Sequence, residues 1–194
     1  PVHQGGFTSF TYDITPYVSC GKTNRLEVFV KKQSDDKSVN LAERHADWWL
    51  FGGIYRPVYL QAFPKTHIER VAVDARADGK MRMDLFAQGL AEGAKLKVSL
   101  SKVSSGTALS GQKSLATASQ TLSLKAQNQQ RLSLSFQGVE AWDVEHPHLY
   151  DMNLQLIAAN GQVVYEYRQR VGFRTMEFRP RDGFYMNGKK LVVK

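Results

Sequence analysis

Apolar residues recur at every second position along most of this chain. Residues at positions i, i+2 and i+4 of a strand lie on the same face, so each such segment would bury one side and expose the other. No long segment follows the helical period of 3.6 residues. The whole chain is therefore predicted to be all-β and antiparallel. The alternating segments are 10–14, 26–30, 81–85, 96–100, 132–136 and 152–156.

A change in pattern near Phe63-Pro64 predicts a domain boundary. An aromatic- and glycine-rich stretch precedes it, and regular short strands follow it. About seven strands fit between residues 68 and 171, which is the number expected of an immunoglobulin-like β-sandwich. Asp78-Gly79 and Asn160-Gly161 are predicted hairpin turns, because both residue types tolerate positive φ.

The last residues of the chain predict a further hairpin. Residues 182–190 read as a strand, an Asn187-Gly188 turn and a second strand that runs to Lys194. A strand needs a neighbour to pair its backbone groups. We therefore expect the polypeptide to continue beyond this hairpin.

Charge and cysteine content exclude several classes of protein. The net charge is +8, but the basic residues are spread along predicted strands without a nucleic-acid recognition motif, so no nucleic-acid partner is expected. No apolar run is long enough to span a bilayer, so no membrane partner is expected. The single cysteine, Cys20, excludes an internal disulfide, and we expect its thiol to lie in or near a core.

Four motifs follow one another along the chain. The first is the G-G-F of 5–7 with F-T-Y-D-I-T at 10–15 and N-R-L-E-V at 24–28. The second is D-W-W-L-F-G-G-I-Y-R-P-V-Y-L at 47–60. The third is A-W-D-V-E-H-P-H-L-Y at 141–150. The fourth is G-F-R at 172–174 followed by F-Y-M-N-G-K at 184–189. Together and in this order they resemble glycoside hydrolase family 2, the β-galactosidase/β-glucuronidase family.

The resemblance implies a domain order. Residues 1–62 would be the C-terminal part of a sugar-binding jelly roll, cut short, and 63–175 an immunoglobulin-like β-sandwich. Residues 176–194 would be a junction hairpin that leads into a (β/α)₈ catalytic barrel absent from this chain.

The resemblance also implies a function for the full protein, a bacterial hydrolase that cleaves terminal β-glycosides with retention. In this family both catalytic carboxylates are glutamates on the barrel, so this chain would hold no catalytic residue and be inactive alone. The motifs favour a β-galactosidase, with a β-glucuronidase or β-mannosidase as the alternative. The chain would support the barrel within a homo-oligomer. The compartment, periplasmic, secreted or cytoplasmic, stays open.

The resemblance assigns one site residue. Asp47, the aspartate of the second motif, would hold hydroxyls of the terminal sugar at the barrel mouth, with Trp48 as a weaker candidate beside it. A monovalent cation and Mg²⁺ are implied near the sugar site of the full enzyme, whereas the fragment itself is expected to bind no metal or cofactor. The plain alternative is that Asp47 caps a turn and Trp48 packs in a core or a domain contact.

The other polar candidates are interpreted as structural. Arg56 and Arg174 are expected to be buried and paired with carboxylates. His146 and His148 flank a proline without an evident third ligand, so we expect a structural turn rather than a metal site. Two other functions remain open for the chain: a stand-alone carbohydrate-binding module that uses the aromatics near Trp48, and an adhesive sandwich without a sugar role.

Overall fold

The computed structural model describes residues 2–3, 9–45, 52–103 and 118–192. The chain divides into two compact units, Pro1–Gln61 and Ala62–Lys194. All the strands of the described residues lie in the second unit, in three antiparallel sheets. This confirms the predicted all-β class.

Seven strands of the second unit form a β-sandwich, as predicted from the alternation. One sheet has the order β1-β2-β5 and the other the order β4-β3-β6-β7. This division of seven antiparallel strands into sheets of three and four is that of an immunoglobulin-like domain. The strands are β1 (His67–Ala75), β2 (Lys80–Gln88), β3 (Lys95–Lys102), β4 (Ala118–Ser123), β5 (Gln129–Ser135), β6 (Tyr150–Ile157) and β7 (Val163–Val171).

The core lies between these two sheets and comes from the alternating apolar residues. Along β6 every second side chain is buried, from Tyr150 through Met152 and Leu154 to Leu156, while the residues between them stay partly exposed. Burying one such side chain contributes about 1.5–3 kcal/mol. Phe173, which follows β7, is fully buried and packs edge to face against Tyr150 with the ring centroids 5.6 Å apart.

The predicted turns join the strands where the sequence places them. Gly79 lies between β1 and β2 with φ +82°, and Gly161 lies between β6 and β7 with φ +85°. At Gly79 a Cβ atom would come within 2.1 Å of the Phe136 carbonyl oxygen, whereas at Gly161 it would meet open space. Only glycine fits the first turn, because both the conformation and the packing exclude a side chain.

A third sheet follows the sandwich. The predicted hairpin at Asn187-Gly188 joins β9 (Gly183–Met186) to β10 (Lys189–Leu191). The structure adds a strand that the sequence analysis did not identify, β8 (Met176–Arg179), which pairs with β9. The junction segment is therefore a three-stranded meander rather than a hairpin alone.

The first unit differs from the sequence expectation in its local structure. Its described residues contain a 3-10 turn, Thr15–Tyr17, and one α-helix, α1 (Lys37–Arg44), but no strand. The segments 10–14 and 26–30 are predicted strands, yet they have no ladder partner among the described residues. Alternation fixes which side of a segment is apolar, but a strand forms only where another backbone pairs with it.

Cys20 is exposed, so the expectation of a thiol in or near a core was wrong. It lies in a turn of the first unit, in which no described residue is buried.

No helix among the described residues is long and apolar enough to cross a membrane.

Candidate functional site

The two predicted site residues, Asp47 and Trp48, lie outside the described residues, as does the rest of 46–51. The structure does describe the segments on either side of them. Helix α1 (Lys37–Arg44) precedes them in the chain, and residues 52–60 follow them.

Helix α1 begins at a well-formed cap. Asp36 accepts a hydrogen bond from the backbone N–H of Ser38 at 2.8 Å and a second from its hydroxyl at 2.7 Å. These bonds hold the pKa of the Asp36 carboxyl below its ordinary value. An aspartate at this position satisfies an N–H group that would otherwise be unpaired at the helix start.

A second pair of bonds ties the helix to the residues before it. Asn40 accepts a hydrogen bond from the Ser34 backbone N–H at 2.9 Å and donates one to the Ser34 carbonyl at 2.6 Å. Lys31 and Asp35 add an exposed ion pair at 3.6 Å. The segment that precedes residues 46–51 is thus held by local contacts of its own.

The described chain resumes at Gly52, beside Lys32. A Cβ atom at Gly52 would lie 3.3 Å from the Cβ of Lys32, so the Lys32 side chain packs close to the Gly52 backbone and a larger residue would have to displace it. Gly53 follows with φ +95°. Where the described residues resume after residue 51, the chain therefore passes close to Lys32, in the segment that precedes α1.

The described residues close in sequence to Asp47 and Trp48 are exposed to solvent. His45 caps the C-terminal end of α1 and is exposed, with its backbone N–H bonded to the Leu41 carbonyl at 3.3 Å. Tyr55 is 65% exposed, and the Arg56 guanidinium lies 5.7 Å from its ring centroid. The expectation that Arg56 is buried was wrong, since it is exposed.

The two histidines beside Pro147 sit in a turn closed by Asp143. Its carboxylate accepts hydrogen bonds from the backbone N–H groups of Glu145 and His146 at 2.9 and 2.6 Å. The bond from His146 is the main reason that the pKa of Asp143 is lowered. His148 faces Glu140 instead, at 3.1 Å. Among the described residues no three His, Cys, Asp or Glu side chains gather into a metal site.

Arg174 makes a contact that differs from the predicted one. Its guanidinium lies over the Trp142 ring, 5.1 Å from the centroid, and it is half-buried. A cation over an aromatic face is stabilised by the ring quadrupole, so no carboxylate is needed. The sequence analysis also missed the role of Asn187, whose side chain reaches Trp142 and Thr175. The Asn187-Gly188 pair predicts a turn, but it does not indicate which residues the asparagine side chain will bond to.

Comparison with known families assigns the chain. The family model described as glycosyl hydrolases family 2 matches residues 66–174, which include all seven strands of the sandwich. The chain belongs to glycosyl hydrolase family 2. The sugar binding domain of the same family matches residues 1–64. The two family 2 matches adjoin each other near the division between the two compact units.

Named family 2 relatives match nearly the whole chain. A putative β-glucuronidase from Formosa agariphila is 29% identical over 99% of the chain, which corresponds to 22% of the relative. A β-galactosidase from Thermoanaerobacter pseudethanolicus is 28% identical over 99% of the chain and 25% of the relative. The chain thus spans about a quarter or less of the length of these relatives.

Solved structures of family 2 proteins share the fold. The β-glucuronidase of Bifidobacterium dentium, solved with coumarin-3-O-glucuronide, superposes with a TM-score of 0.56 at 19% identity, over 83% of this chain and 27% of that one. The β-glucuronidase of Parabacteroides merdae gives a TM-score of 0.55 at 24% identity, over 76% of this chain and 18% of that one. At these identities the likeness concerns the fold.

Proposed function

We propose that this chain is a non-catalytic portion of a retaining β-glycosidase that removes terminal sugars from β-glycosides. The observation that carries the proposal is the adjacent pair of family 2 matches, the sugar binding domain followed by the sandwich, over almost the whole chain. Retaining hydrolysis needs two carboxyl groups about 5 Å apart, one as nucleophile and one as acid and base. We place both in the catalytic barrel of the full protein, outside these residues.

For the substrate we propose a β-D-galactoside, with a β-D-glucuronide as the second candidate. Relatives with either name match 99% of the chain, so their similarity supports both substrates equally. The resemblance of the 47–60 segment to the galactosidase branch is what favours the first. The two sugars differ at carbon 6, where one carries a hydroxymethyl group and the other a carboxylate.

Within the full enzyme, Asp47 is proposed to accept hydrogen bonds from sugar hydroxyls, with Trp48 beside it. A carboxylate can accept two such bonds, and bonds to a charged acceptor are about twice as strong as neutral ones. The described residues on either side of 46–51, the capped helix α1 and the Gly52–Lys32 contact, have defined local structure, which supports a binding role for a residue between them. The ions implied for the full enzyme would require ligands beyond the described residues, among which no cluster of three forms.

The meander offers a surface through which the chain could support the barrel. Residues paired across neighbouring strands share a face, so Phe178, Phe184 and Leu191 lie on one side of the sheet. The Phe178 and Phe184 rings are 4.9 Å apart, and Phe178 is 80% exposed. We propose that the barrel covers this apolar face in the full protein, since exposed apolar clusters mark interaction sites.

Hydrolysis assays test whether the chain is non-catalytic and which substrate the full protein prefers. The purified 194-residue chain and the full protein are each incubated with p-nitrophenyl β-galactoside, β-glucuronide and β-mannoside. We expect release of p-nitrophenol by the full protein only, fastest from the galactoside. Hydrolysis by the chain alone would overturn its non-catalytic assignment, and a faster reaction with glucuronide would select the second substrate.

The role of Asp47 is tested in the full protein by Asp47→Ala. Losing a hydrogen bond to a charged group costs about 1.5–3 kcal/mol, so kcat/KM should fall by about 10- to 100-fold. Asp35→Ala is the matched control, because Asp35 is an exposed carboxylate paired only at the surface with Lys31. Equal kinetics for the Asp47 variant and the control would remove Asp47 from the site.

The proposed surface is tested by Phe178→Asp. In the isolated chain the substitution should leave the melting temperature nearly unchanged, because the side chain is already 80% exposed. In the full protein it should lower both stability and activity. Tyr17→Asp is the control, since Tyr17 is also 80% exposed but lies in the first unit. Equal behaviour of the two variants in the full protein would contradict the role of the meander.

A further inference from the structure

Three separate segments of the second unit meet at Asn187. Its backbone is left-handed, with φ +49°, and its side chain is half-buried. The side-chain oxygen accepts a hydrogen bond from the Thr175 N–H at 2.9 Å, while the backbone N–H of Asn187 donates to the Thr175 carbonyl at 2.8 Å. The side-chain nitrogen donates to the Trp142 carbonyl at 2.9 Å.

The Thr175 side of this junction is fixed to the first strand of the sandwich. The Thr175 hydroxyl accepts a hydrogen bond from the backbone N–H of Ala77 at 3.1 Å. The neighbouring Arg174 backbone N–H donates to the carbonyl of Ala75, the last residue of β1, at 2.9 Å. The connection between β7 and the meander is therefore hydrogen-bonded to the end of β1.

The Trp142 side is fixed to the end of the last strand of the sandwich. Its backbone N–H donates to the carbonyl of the buried Phe173 at 2.8 Å. Its side chain packs on Gly172, where an added Cβ atom would lie 3.2 Å from the indole, and its ring carries the Arg174 guanidinium. Trp142 is thus held in place by several contacts, and its carbonyl is a fixed acceptor for the Asn187 side chain.

We infer that Asn187 is a positioning residue that holds the three-stranded meander in one orientation on the sandwich. Its amide links the β9–β10 turn to the sandwich loop at Trp142 and to the connection at Thr175. An asparagine that only served the turn would need the left-handed conformation and nothing more. The oxygen and the nitrogen of the Asn187 side-chain amide instead both form long-range hydrogen bonds. The oxygen bonds to Thr175, 12 residues away, and the nitrogen to Trp142, 45 residues away.

The second Asn-Gly turn of the chain shows the difference. Asn160 precedes Gly161 in the β6–β7 hairpin, and its side-chain oxygen accepts a hydrogen bond from Gln162, only two residues away. That bond shapes the turn locally. The two asparagines therefore form a matched pair, one with a local side-chain bond and one whose side chain bonds to the sandwich loop at Trp142 and to the connection at Thr175.

Hydrogen exchange of the 194-residue chain tests the inference directly. Asn187→Gly keeps a residue that favours positive φ but removes the amide, and Asn160→Gly is its control. We expect the Thr175 amide to exchange about 10-fold faster in the first variant, since its acceptor is lost, with the β2 and β6 amides unchanged. Thr175 exchange equal to that of the native chain would overturn the inference, as would equal acceleration by Asn160→Gly.

A second variant covers a failure of Asn187→Gly to fold. Asn187→Asp retains an oxygen for the Thr175 N–H but loses the donor to Trp142. The carbonyl carbon shift of Trp142 should then move, while the Thr175 amide keeps its protection. An unmoved Trp142 shift would show that the bridge to the sandwich is not formed, and the inference would be wrong.

The consequence for the full protein rests on the proposed function. If the meander supports the barrel, Asn187→Gly should also lower kcat/KM there, by about 3- to 10-fold on loss of one hydrogen bond's stabilisation. Faster Thr175 exchange with unchanged full-length kinetics would keep the inference about Asn187 and contradict the supporting role of the meander. The two failures are thus distinguishable.

Discussion

The hydroxyl of Tyr150 accepts a hydrogen bond from the backbone N–H of Glu140 at 2.8 Å, while its ring packs at 90° against Phe173. One side chain at the start of β6 thereby joins the core to the loop that follows β5. A tyrosine that bonds back to the backbone a few residues upstream is a recurring feature of immunoglobulin-like sandwiches. Tyr150 is 2% exposed, so little water can replace this bond.

Removing that hydroxyl should destabilise the sandwich. Tyr150→Phe keeps the ring in place but leaves the Glu140 N–H without its acceptor, which costs about 1–3 kcal/mol. The free energy of unfolding, measured by urea titration, should fall by this amount with an unchanged m-value. Tyr17→Phe is the control, because that hydroxyl lies on an exposed residue of the first unit. Equal effects of the two variants would contradict the structural role of the Tyr150 bond.

The two hairpin glycines should respond differently to alanine. Both have positive φ, +82° at Gly79 and +85° at Gly161, so each substitution carries a conformational cost of about 1–2 kcal/mol. At Gly79 the added Cβ atom would also meet the Phe136 carbonyl oxygen at 2.1 Å. Gly79→Ala should therefore lower the melting temperature well beyond the effect of Gly161→Ala. Similar melting temperatures for the two variants would show that the β1–β2 turn can shift away.

Much of the sandwich was predictable because its strands bury one face each. The alternation at Met81, Met83 and Leu85 predicts β2, and all three side chains are buried. Strand β8 was missed because all four of its residues are exposed, so no buried side of the strand marks it in the sequence. The helix α1 was missed although Asp36 is a recognisable capping residue.

The contacts around Trp142 were less predictable because they join distant parts of the chain. The family motifs identified Asp47 and Trp48, whose placement stays a prediction. Nothing in the sequence near Asn187 indicates that its amide binds Trp142, 45 residues away. The ion pair expected for Arg174 gave way to a contact with the Trp142 ring, since an arginine can be satisfied by either partner.

The centre of the core should tolerate truncation poorly. Leu154 lies in the middle of β6, is 0% exposed and is paired on both sides, with Val98 and with Tyr167. Leu154→Ala should lower the free energy of unfolding by about 2–5 kcal/mol, through lost burial and the cavity left behind. Thr121→Ala, on the exposed face of β4, should change it by less than about 0.5 kcal/mol. Calorimetry of both variants checks the difference.

The solvent face of the β1-β2-β5 sheet carries an ion pair that should make stability depend on pH. Arg131 donates to the Asp84 carboxylate at 2.7 and 3.1 Å across the β2–β5 pairing. This hydrogen bond is the main reason that the pKa of Asp84 is lowered from its ordinary value of 3.8. A carboxyl with a lower pKa in the folded state stabilises the fold above its unfolded pKa, and the contribution is lost as the pH falls through the folded pKa.

Arg131→Gln should therefore raise the pKa of Asp84, measured from its carboxyl carbon shift. The variant should also melt below the native chain at pH 6, and the gap should narrow as the pH falls below about 4, where the carboxyl takes up its proton. Arg168→Gln removes the same charge from β7, beside Glu166, and should leave the Asp84 titration unchanged. A gap that stays constant from pH 6 to pH 2 would mean that Arg131 acts through packing of its side-chain stem and not through Asp84.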